Sequence, residues 1–342
     1  MKICLITDTW DNVNGVVTTL KATVRELEKR GHEIAIFHPG MFKTFSMPRY
    51  PEIKMSWNLW KLGPMIEEFD PDAIHIATEG PLGCAARWYC KVRKRQIPHN
   101  TSYHTKFPEY LKIHHGIPVS IGYWFMRLFH KFSCRVLVTT STVASELEDR
   151  RLKNLVVWNR GVDHEIFNQR DRCQNLASKP VLLCVSRASY EKGLDDFCSL
   201  STSGTKILVG DGPYLKDLKI KYPDVIFTGY KTGVSLSHYY ANADVFVFPS
   251  KSDTFGVVML ESIACGTPVA AYPVTGPIDV LTPGVNGEMN DSLSVAVELA
   301  QKLNRDTVEA SSHQFTWAAC TDVFEKNLVF TRKPARACSA DG

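Results

Sequence analysis

The sequence lacks the long apolar run and the paired cysteines that mark several large classes of protein. No stretch of its 342 residues approaches the length of a membrane span, and the N-terminal segment meets Asp8 too early for a secretory signal. None of the ten cysteines falls in a C-x-x-C pair, and Cys4 and Cys184 lie in strand-like runs, where a reduced cysteine behaves as a small apolar residue. We therefore expect free thiols and a cytoplasmic chain.

Two nucleotide-binding signatures are also missing. There is no G-x-x-x-x-G-K-[ST] motif, which disfavours a P-loop nucleotidase, and no G-x-G-x-x-G follows the first strand, which disfavours a dinucleotide dehydrogenase. The net charge of +4, with 22% charged and 44% hydrophobic residues, is ordinary for a soluble globular protein and does not argue for nucleic acid as a partner. The length suits about two domains.

The sequence does contain strand-like and helix-like segments that alternate in two successive halves. In the first half the strand candidates are KICLITDT, EIAIFHPG, AIHIAT and RVLVTT, an amphipathic helix ends at Gly31, and VVWNRGVD closes this half. In the second half they are PVLLCVSR, KILVGDG, DVIFTGY, ADVFVFPS and TPVAAY. Because alternation of this kind is typical of parallel sheets, we predict an α/β protein with two doubly wound, Rossmann-like domains.

The domain limits follow from where this pattern stops and restarts. We predict an N-terminal domain over residues 1–167 and a C-terminal domain over 180–315. Residues 168–179 are polar without periodicity and are interpreted as a linker. A last helix within 316–330 is expected to pack back on the N-terminal domain, and residues 331–342 form a tail.

The segment DTFGVVMLE places two carboxylates where a strand is followed by a helix that we predict from about Gly256 to Gly266. Asp253 falls in the loop at the carboxyl end of the strand, where ligands collect in parallel sheets. Glu261 shares a helix face with apolar residues, and an unpaired buried carboxylate is costly to keep ionised. Two interpretations stay open for Glu261: a core ion pair with a distant Arg or Lys, or contact with a hydroxyl-rich ligand.

Other loops suggest binding of phosphate. Arg187 closes a strand and Lys192 follows before the next helix, so the two cations could hold a diphosphate, although they could also be solvated surface bases. Asn14 and Gly15 lie at the first strand-to-helix turn, where a glycine lets backbone N–H groups approach an anion or serves geometry alone.

These motifs resemble a known family. SRASYEKG, VGDGP, FTGY and DTFGVVMLESIACGTPVA are similar to the C-terminal half of the retaining glycosyltransferases of family 4, which have the two-domain GT-B fold. The Gly-containing first loop, TSYHTKFPEY and WNRGVD match the N-terminal half, so the resemblance covers nearly the whole chain. It is nearest to a bacterial branch of lipid and polyprenyl-linked mannosyl-, glucosyl- and sulfoquinovosyl-transferases.

The resemblance implies two domains that face each other across a cleft and an enzyme that moves a mannose- or glucose-type hexose to a lipid or glycan acceptor. The donor would be a UDP- or GDP-sugar, used without a cofactor or metal. The residues implied are Arg187, Lys192, Gly15, Gly256 and Val257 at the diphosphate, Glu261 at the ribose, Gly229, Tyr230 and Lys231 at the base, Thr254 and Phe255 at the sugar, and His104 and Asp253 in catalysis. Asp253 departs from the family, which usually places Glu there.

The motif offers no carboxylate with obvious geometry for a covalent glycosyl intermediate. We therefore favour attack on the same face as the departing phosphate, with electrostatic stabilisation of the leaving group. The DPD at residues 70–72 is interpreted as a turn and not as a metal site, and His114 and His115 have no nearby ligand partner. A sugar-nucleotide epimerase and a noncatalytic nucleotide-sugar-binding protein remain as alternatives.

Two segments of the N-terminal half bear on a membrane contact. RWYCKVRKR, at residues 87–95, contains five bases, which suit either an anionic membrane surface or a solvated helix face. YWFMRLFHKF, at residues 123–132, is predicted to be mainly a core helix.

Overall fold

The computed structural model describes residues 1–11, 14–47, 50–92, 96–172, 178–202 and 204–331. The chain divides into two compact units. The first unit comprises Met1–Trp158 together with the segment from Cys320 onward, and the second comprises Asn159–Ala319. Most of the tail that we predicted over 331–342, from residue 332 on, lies outside the described residues.

The first unit contains a six-stranded parallel sheet with the strand order β2-β1-β5-β6-β7-β8, and a separate antiparallel hairpin, β3-β4. The strands are β1 Lys2–Ile6, β2 Glu33–Phe37, β3 Thr44–Met47, β4 Tyr50–Ser56, β5 Ala73–Ile76, β6 Asn100–Tyr103, β7 Arg135–Val138 and β8 Leu155–Val157. The helices are α1 Gly15–Lys29, α2 Leu62–Phe69, α3 Pro81–Val92, α4 Phe107–His115, α5 Val119–His130 and α6 Ser141–Asp149. Strand β1 is almost fully buried because it lies between β2 and β5.

Strand β6 and the β3-β4 hairpin were not predicted. The sequence of β6, NTSY, is polar, yet every residue of this strand is buried. Two of its hydroxyls have partners inside the unit: Ser102 Oγ lies 2.6 Å from Nε2 of His75, and Thr101 Oγ1 lies 2.8 Å from Nδ1 of His130. Hydrogen bonds therefore help to bury polar side chains of a central strand that an apolar pattern would not reveal.

The second unit repeats the architecture with six parallel strands in the order β11-β10-β9-β12-β13-β14. The strands are β9 Val181–Val185, β10 Thr205–Val209, β11 Ile226–Gly229, β12 Val245–Phe248, β13 Val269–Ala271 and β14 Gly287–Met289. The helices are α7 Leu194–Cys198, α8 Leu215–Lys221, α9 Gly233–Asn242, α10 Val257–Ala264, α11 Pro277–Val280, α12 Leu293–Ala300 and α13 Arg305–Ser311. The five strands predicted for this half are present, and the short edge strand β14 is additional.

The observed boundary between the units precedes the one predicted at residue 167. Val162 and Phe167 belong to the apolar core of the second unit, where they pack with residues of α9 and α10. The first residues of the predicted linker are also held in the second unit, because Nε2 of Gln169 donates a 2.7 Å hydrogen bond to Glu309. A polar segment can be held by hydrogen bonds, which composition alone does not show.

The last helix, α14, runs over Trp317–Lys326, and most of it belongs to the first unit. Arg30, which follows α1, forms ion pairs with Asp322 at 2.7 Å and with Glu325 at 2.6 Å. Nε1 of Trp158 donates to the carbonyl of Cys320 at 3.1 Å. The chain thus returns to its first unit after completing the second.

Two sequence-based expectations concern features outside the sheets. The eight described cysteines are all free thiols. In the described parts of the chain, no helix is long and apolar enough to cross a membrane.

Candidate active site

The strand order of the second unit determines which loops come together. Strands β9 and β12 are neighbours, and the chain leaves them toward opposite edges of the sheet. A reversal of this kind opens a crevice at the carboxyl ends of the two strands, which is where ligands bind in doubly wound sheets. The loop after β9 carries Arg187 and Lys192, and the loop after β12 carries Asp253. The fold thus brings together the two motifs that we had assigned separately to the donor.

An ion pair joins these loops. Nζ of Lys192 lies 2.6 Å from Oδ1 of Asp253, and both side chains are partly buried. Burial by itself raises the pKa of Asp253, but the charge and hydrogen bond of Lys192, together with a hydrogen bond from Ser250, lower it below its ordinary value. Asp253 is therefore ionised at neutral pH. Sequence reasoning had not paired these two residues.

The N-terminus of α10 lies next to this pair. Gly256 has φ of +84°, and a Cβ atom there would come within 2.9 Å of Phe248 and of Met259, so the position requires glycine. No side chain caps the helix, and its first turn contains no acidic residue. The helix therefore presents the backbone N–H groups of Val257 and Val258, which have no intrahelical partner, and positive potential beside Asp253. Thr254 and Phe255, in the loop before it, are buried.

Glu261 occupies a different environment on the same helix. Its Oε2 accepts a 3.0 Å hydrogen bond from the hydroxyl of Tyr240, and burial raises the pKa of Glu261 to about 7. Among the described residues no Lys or Arg forms an ion pair with it, so the structure does not support the core ion pair that we had considered for Glu261, and Lys192 pairs with Asp253. Its carboxylate still lacks a charged partner, which is consistent with a polar ligand.

The residues predicted to contact the base lie close to Glu261. Burial raises the pKa of Tyr230, and the negative charge of Glu261 raises it further, which places the two side chains within electrostatic range. Gly229 ends strand β11 with φ of +74° and Lys231 follows Tyr230 in the partly exposed turn. The turn and Glu261 thus belong to one part of the second unit.

The glycine-containing loop after β10, to which the sequence analysis gave no role, packs against the backbone next to Arg187. Gly210 and Gly212 have φ of +145° and +155°. A Cβ atom on Gly210 would lie 1.9 Å from the carbonyl oxygen of Ser186, and one on Gly212 would lie 2.4 Å from that of Ala188. The loop after β10 therefore packs against the backbone on both sides of Arg187. The VGDGP motif was the available signal, because two glycines directly after a strand indicate close approach of backbone.

In the first unit, Gly15 and its neighbours form a helix start. Gly15 is the first residue of α1, and Oδ1 of Asn14 accepts a 2.9 Å hydrogen bond from the backbone N–H of Val17. The side chain of Asn14 therefore already satisfies one of the helix donors.

Asp8, after β1, accepts backbone hydrogen bonds from Leu82 at 2.8 Å and Gly83 at 3.2 Å, so it caps α3.

His104 follows strand β6 and is buried, with its ring centroid 5.7 Å from that of Trp158. The sequence analysis did not select a further acid at the carboxyl ends of these strands. Glu79 follows β5, and its Oε1 lies 3.5 Å from Nε2 of the buried His130. The position of Glu79 directly after AIHIAT was the signal, by the same rule that selected Asp253.

The assigned residues thus divide between the two units. Most of those assigned to the donor lie in the second unit, whereas Gly15 and His104 belong to the first. In the described parts of the chain, no group of three or more His, Cys, Asp or Glu side chains is arranged to hold a metal ion. Asp70, in the DPD segment, has φ of +49° at the end of α2, as expected for a turn. The side chains of His114 and His115 lie outside the described residues.

Comparison with known proteins identifies the family. Residues 13–166 match the profile of Glycosyltransferase Family 4, and residues 179–305 match that of Glycosyl transferases group 1. The chain belongs to glycosyltransferase family 4. The family 4 assignment confirms the resemblance noted in the sequence and the prediction of a glycosyltransferase.

Two curated relatives and one solved structure illustrate the similarity. Alpha-monoglucosyldiacylglycerol synthase from Streptococcus pneumoniae is 30% identical over 316 residues, covering 80% of this chain and 71% of the relative. GDP-mannose-dependent alpha-mannosyltransferase from Corynebacterium glutamicum is 29% identical over 321 residues, covering 85% and 77%. The Anabaena protein HepE in complex with UDP-glucose superimposes with a TM-score of 0.71 at 16% identity, over 95% of this chain and 99% of HepE. The predicted GT-B fold class, with its two Rossmann-like domains, is confirmed.

Proposed function

We propose that this family 4 glycosyltransferase moves a hexose of the mannose or glucose type from a UDP- or GDP-sugar to a lipid or glycan acceptor, with retention of anomeric configuration. The named activities of the two curated relatives, one mannosyl and one glucosyl, support this range of sugars. The observation that carries the proposal is the different environment of the two acids in DTFGVVMLE. Asp253 is ion-paired beside a helix N-terminus, whereas burial raises the pKa of Glu261 to about 7 and no Lys or Arg among the described residues pairs with it.

These environments suit opposite ends of one donor. The diphosphate would lie on the uncapped N-terminus of α10, bound by Arg187 and Lys192, because backbone N–H groups and cations both favour an anion. The Glu261 carboxylate would accept hydrogen bonds from the ribose hydroxyls, with the base against the turn at Tyr230. Asp253 would then accept hydrogen bonds from hydroxyls of the hexose.

The same groups account for a transfer without a metal. As the bond from the anomeric carbon to the phosphate oxygen breaks, negative charge grows on the leaving nucleotide diphosphate. Lys192, Arg187 and the α10 N-terminus would stabilise this charge. The departing phosphate would take the proton of the attacking acceptor hydroxyl, whose oxygen forms the new bond on the same face of the sugar. His104 and Gly15 keep the roles that the family resemblance assigns to them.

A donor panel tests the proposal. UDP- and GDP-linked glucose and mannose, each supplied with a lipid and glycan extract, would be scored by mass spectrometry for a glycosylated product, and by NMR for the configuration of the new bond. We expect one donor to give an α-linked product in the presence of EDTA. Formation of a new nucleotide sugar without an acceptor would indicate an epimerase, and donor binding without turnover would indicate a noncatalytic binding protein. Activity that EDTA removes and a divalent cation restores would contradict the metal-free mechanism.

A further inference from the structure

Helix α5 has apolar side chains on two opposite faces. Its inner face, with Tyr123, Met126 and Phe129, is buried in the first unit. The prediction that YWFMRLFHKF lies mainly in the core is correct for that face only. The outer row comprises Ile121, Trp124, Leu128 and, just past the helix, Phe132, which are 54%, 59%, 41% and 41% exposed.

The spacing of the outer residues makes them one continuous row. Positions three and four apart lie on the same side of a helix, and the intervals from Ile121 to Trp124, Leu128 and Phe132 follow this rule. A helix that is apolar on all sides is normally buried, and a contiguous exposed apolar surface marks a site of interaction. The outer face of α5 therefore needs an apolar partner.

Helix α3 adds positive charge at one end of this row. Nε of Arg87 donates a 2.8 Å hydrogen bond to the carbonyl of Phe129, which fixes α3 against the end of α5. The cationic groups of Arg87, Lys91 and Lys131 lie 5.5, 4.3 and 5.5 Å from the centroid of the Phe132 ring.

In the described parts of the chain these cations have no acidic partner, because no carboxylate there forms an ion pair with Arg87, Lys91 or Lys131. Trp88, on α3, is 60% exposed. We refer to the apolar row with Trp88 and the three cations as the α5 face. Residues 93–95, the most basic part of RWYCKVRKR, lie outside the described residues.

We infer that the α5 face is a membrane-docking surface, which inserts its apolar side chains at the interface of an anionic bilayer while Arg87, Lys91 and Lys131 contact lipid phosphates. The combination of an apolar helix face with adjacent bases is the one that interfacial helices use. The inference deepens the proposed function and rests on it for one step: docking would bring the enzyme to an acceptor held in the membrane.

Charge complementarity favours a bilayer over a second copy of the chain. A symmetric dimer formed through the α5 face would bring the Arg87, Lys91 and Lys131 side chains of both copies into one interface. Like charges without intervening acids repel, and burying them is costly. An anionic bilayer supplies both the apolar interior that Trp124 and Leu128 require and the negative charge.

The experiment measures binding of the full-length chain to vesicles of phosphatidylcholine with and without phosphatidylglycerol. Co-sedimentation at low and high salt separates the charge contribution, because salt screens exposed charges. We expect binding to the anionic vesicles, part of which persists at high salt. The double variant Trp124→Ser/Leu128→Ser should weaken it by about tenfold or more, since two large apolar side chains no longer insert. The double variant Lys91→Gln/Lys131→Gln should weaken vesicle binding at low salt and leave the binding that persists at high salt unchanged.

Ile220→Ser and Val234→Ser are the matched controls. They lie on the second unit, are 74% and 63% exposed, and should bind vesicles as the unmodified chain does. A second readout uses brominated phosphatidylcholine, which quenches tryptophans that enter the bilayer. Quenching should fall in Trp124→Phe, although six of the seven tryptophans remain. Thermal melts of each variant would establish that it is folded.

The outcomes separate this inference from the proposed function. Unchanged vesicle binding in Trp124→Ser/Leu128→Ser would overturn the docking surface, and so would self-association that this variant abolishes. Glycosyl transfer to detergent-solubilised acceptor is measured in parallel and should survive in the variant. A chain that transfers sugar in detergent but binds no vesicles refutes only the docking surface. A chain that binds vesicles through the α5 face but transfers no sugar refutes only the proposed function.

Discussion

Nζ of Lys192 donates a 2.6 Å hydrogen bond to Oδ1 of Asp253, which joins the loops that follow strands β9 and β12. The pair neutralises a carboxylate beside the N-terminus of α10, where the donor diphosphate is proposed to bind. Binding of the diphosphate would therefore compete with Asp253 for Lys192. Replacing Lys192 should therefore change the affinity for nucleotide diphosphate differently from replacing Asp253.

The Lys192→Ala variant should bind nucleotide diphosphate more weakly by about 1.5 to 3 kcal/mol, the usual range for a hydrogen bond to a charged group. The same change removes the main cause that lowers the pKa of Asp253 and leaves that carboxylate partly buried without a cation. Isothermal titration calorimetry with UDP and GDP measures the affinity. Lys251→Ala is the matched control, because Lys251 lies near Asp253 in sequence but its Nζ lies 3.9 Å from Asp196. Equal affinity in both variants would contradict the assignment of Lys192.

The Asp253→Asn variant should keep or improve its affinity for nucleotide diphosphate, because Lys192 loses the carboxylate that competes with phosphate. Turnover should nevertheless fall by about 10- to 1000-fold if Asp253 orients the hexose, which corresponds to about 1.4 to 4 kcal/mol of transition-state stabilisation. Calorimetry and turnover are measured on the same preparation. Weakened diphosphate binding with unchanged turnover would show that Asp253 supports the loop and does not orient the sugar.

Affinity for the nucleotide should depend on pH through Glu261. Its pKa of about 7 leaves a substantial protonated fraction at neutral pH, and the ionised form accepts stronger hydrogen bonds from the ribose hydroxyls than the protonated form does. Binding should therefore lower this pKa, release protons near neutrality and strengthen as pH rises through about 7. Calorimetry in buffers of different ionisation enthalpy counts the protons. The phosphates of the ligand also titrate, so the same measurement on Glu261→Gln isolates the contribution of Glu261. An identical pH profile in that variant would exclude Glu261 from the ribose site.

Stability should show the opposite dependence for the same group. The pKa of Glu261 is raised from 4.5 to about 7 in the folded chain, so the folded state holds its proton more tightly than the unfolded state does. This contribution is fully present below pH about 4.5 and is lost as pH rises through about 7. Glu261→Gln should therefore be more stable than the unmodified chain at about pH 8, by roughly 1 to 3 kcal/mol, and little different at acid pH. Thermal melts without ligand measure the difference.

Gly210→Ala should impair the site through the backbone of the Arg187 loop. A Cβ at this position would lie 1.9 Å from the carbonyl oxygen of Ser186, so the loop must move. We expect a loss of stability of more than about 2 kcal/mol together with weaker diphosphate binding. Gly229→Ala is the comparison, because Gly229 has positive φ but no atom lies within 4 Å of the added Cβ. This substitution should lower the stability of the fold by only about 1 kcal/mol. Similar losses in the two variants would show that backbone strain, and not the contact with Ser186, sets the cost.

The fold class, the two-part organisation and the family could all be predicted from the amino-acid sequence. Short, nearly continuous apolar runs such as PVLLCVSR and ADVFVFPS identify buried parallel strands, because a strand that is covered on both faces must be apolar along its length. The DTFGVVMLE and SRASYEKG motifs could be assigned to loops at strand ends by the same reasoning, whereas TSYHTKFPEY was selected by its resemblance to the family. The sequence did not reveal β6, whose polar side chains are buried through hydrogen bonds with His75 and His130.

Which charged side chains pair with each other depends on the folded arrangement of the strands. Lys192 and Asp253 are distant in sequence, and they pair because the strand order places β9 next to β12. Glu261, for which an ion pair with a distant Arg or Lys was one of two open interpretations, has Tyr240 as its side-chain partner and a raised pKa. The outward row of Ile121, Trp124 and Leu128 could not be distinguished from core by its hydrophobicity. Periodicity reports that a residue is apolar, whereas the packing of neighbouring elements determines whether anything covers it.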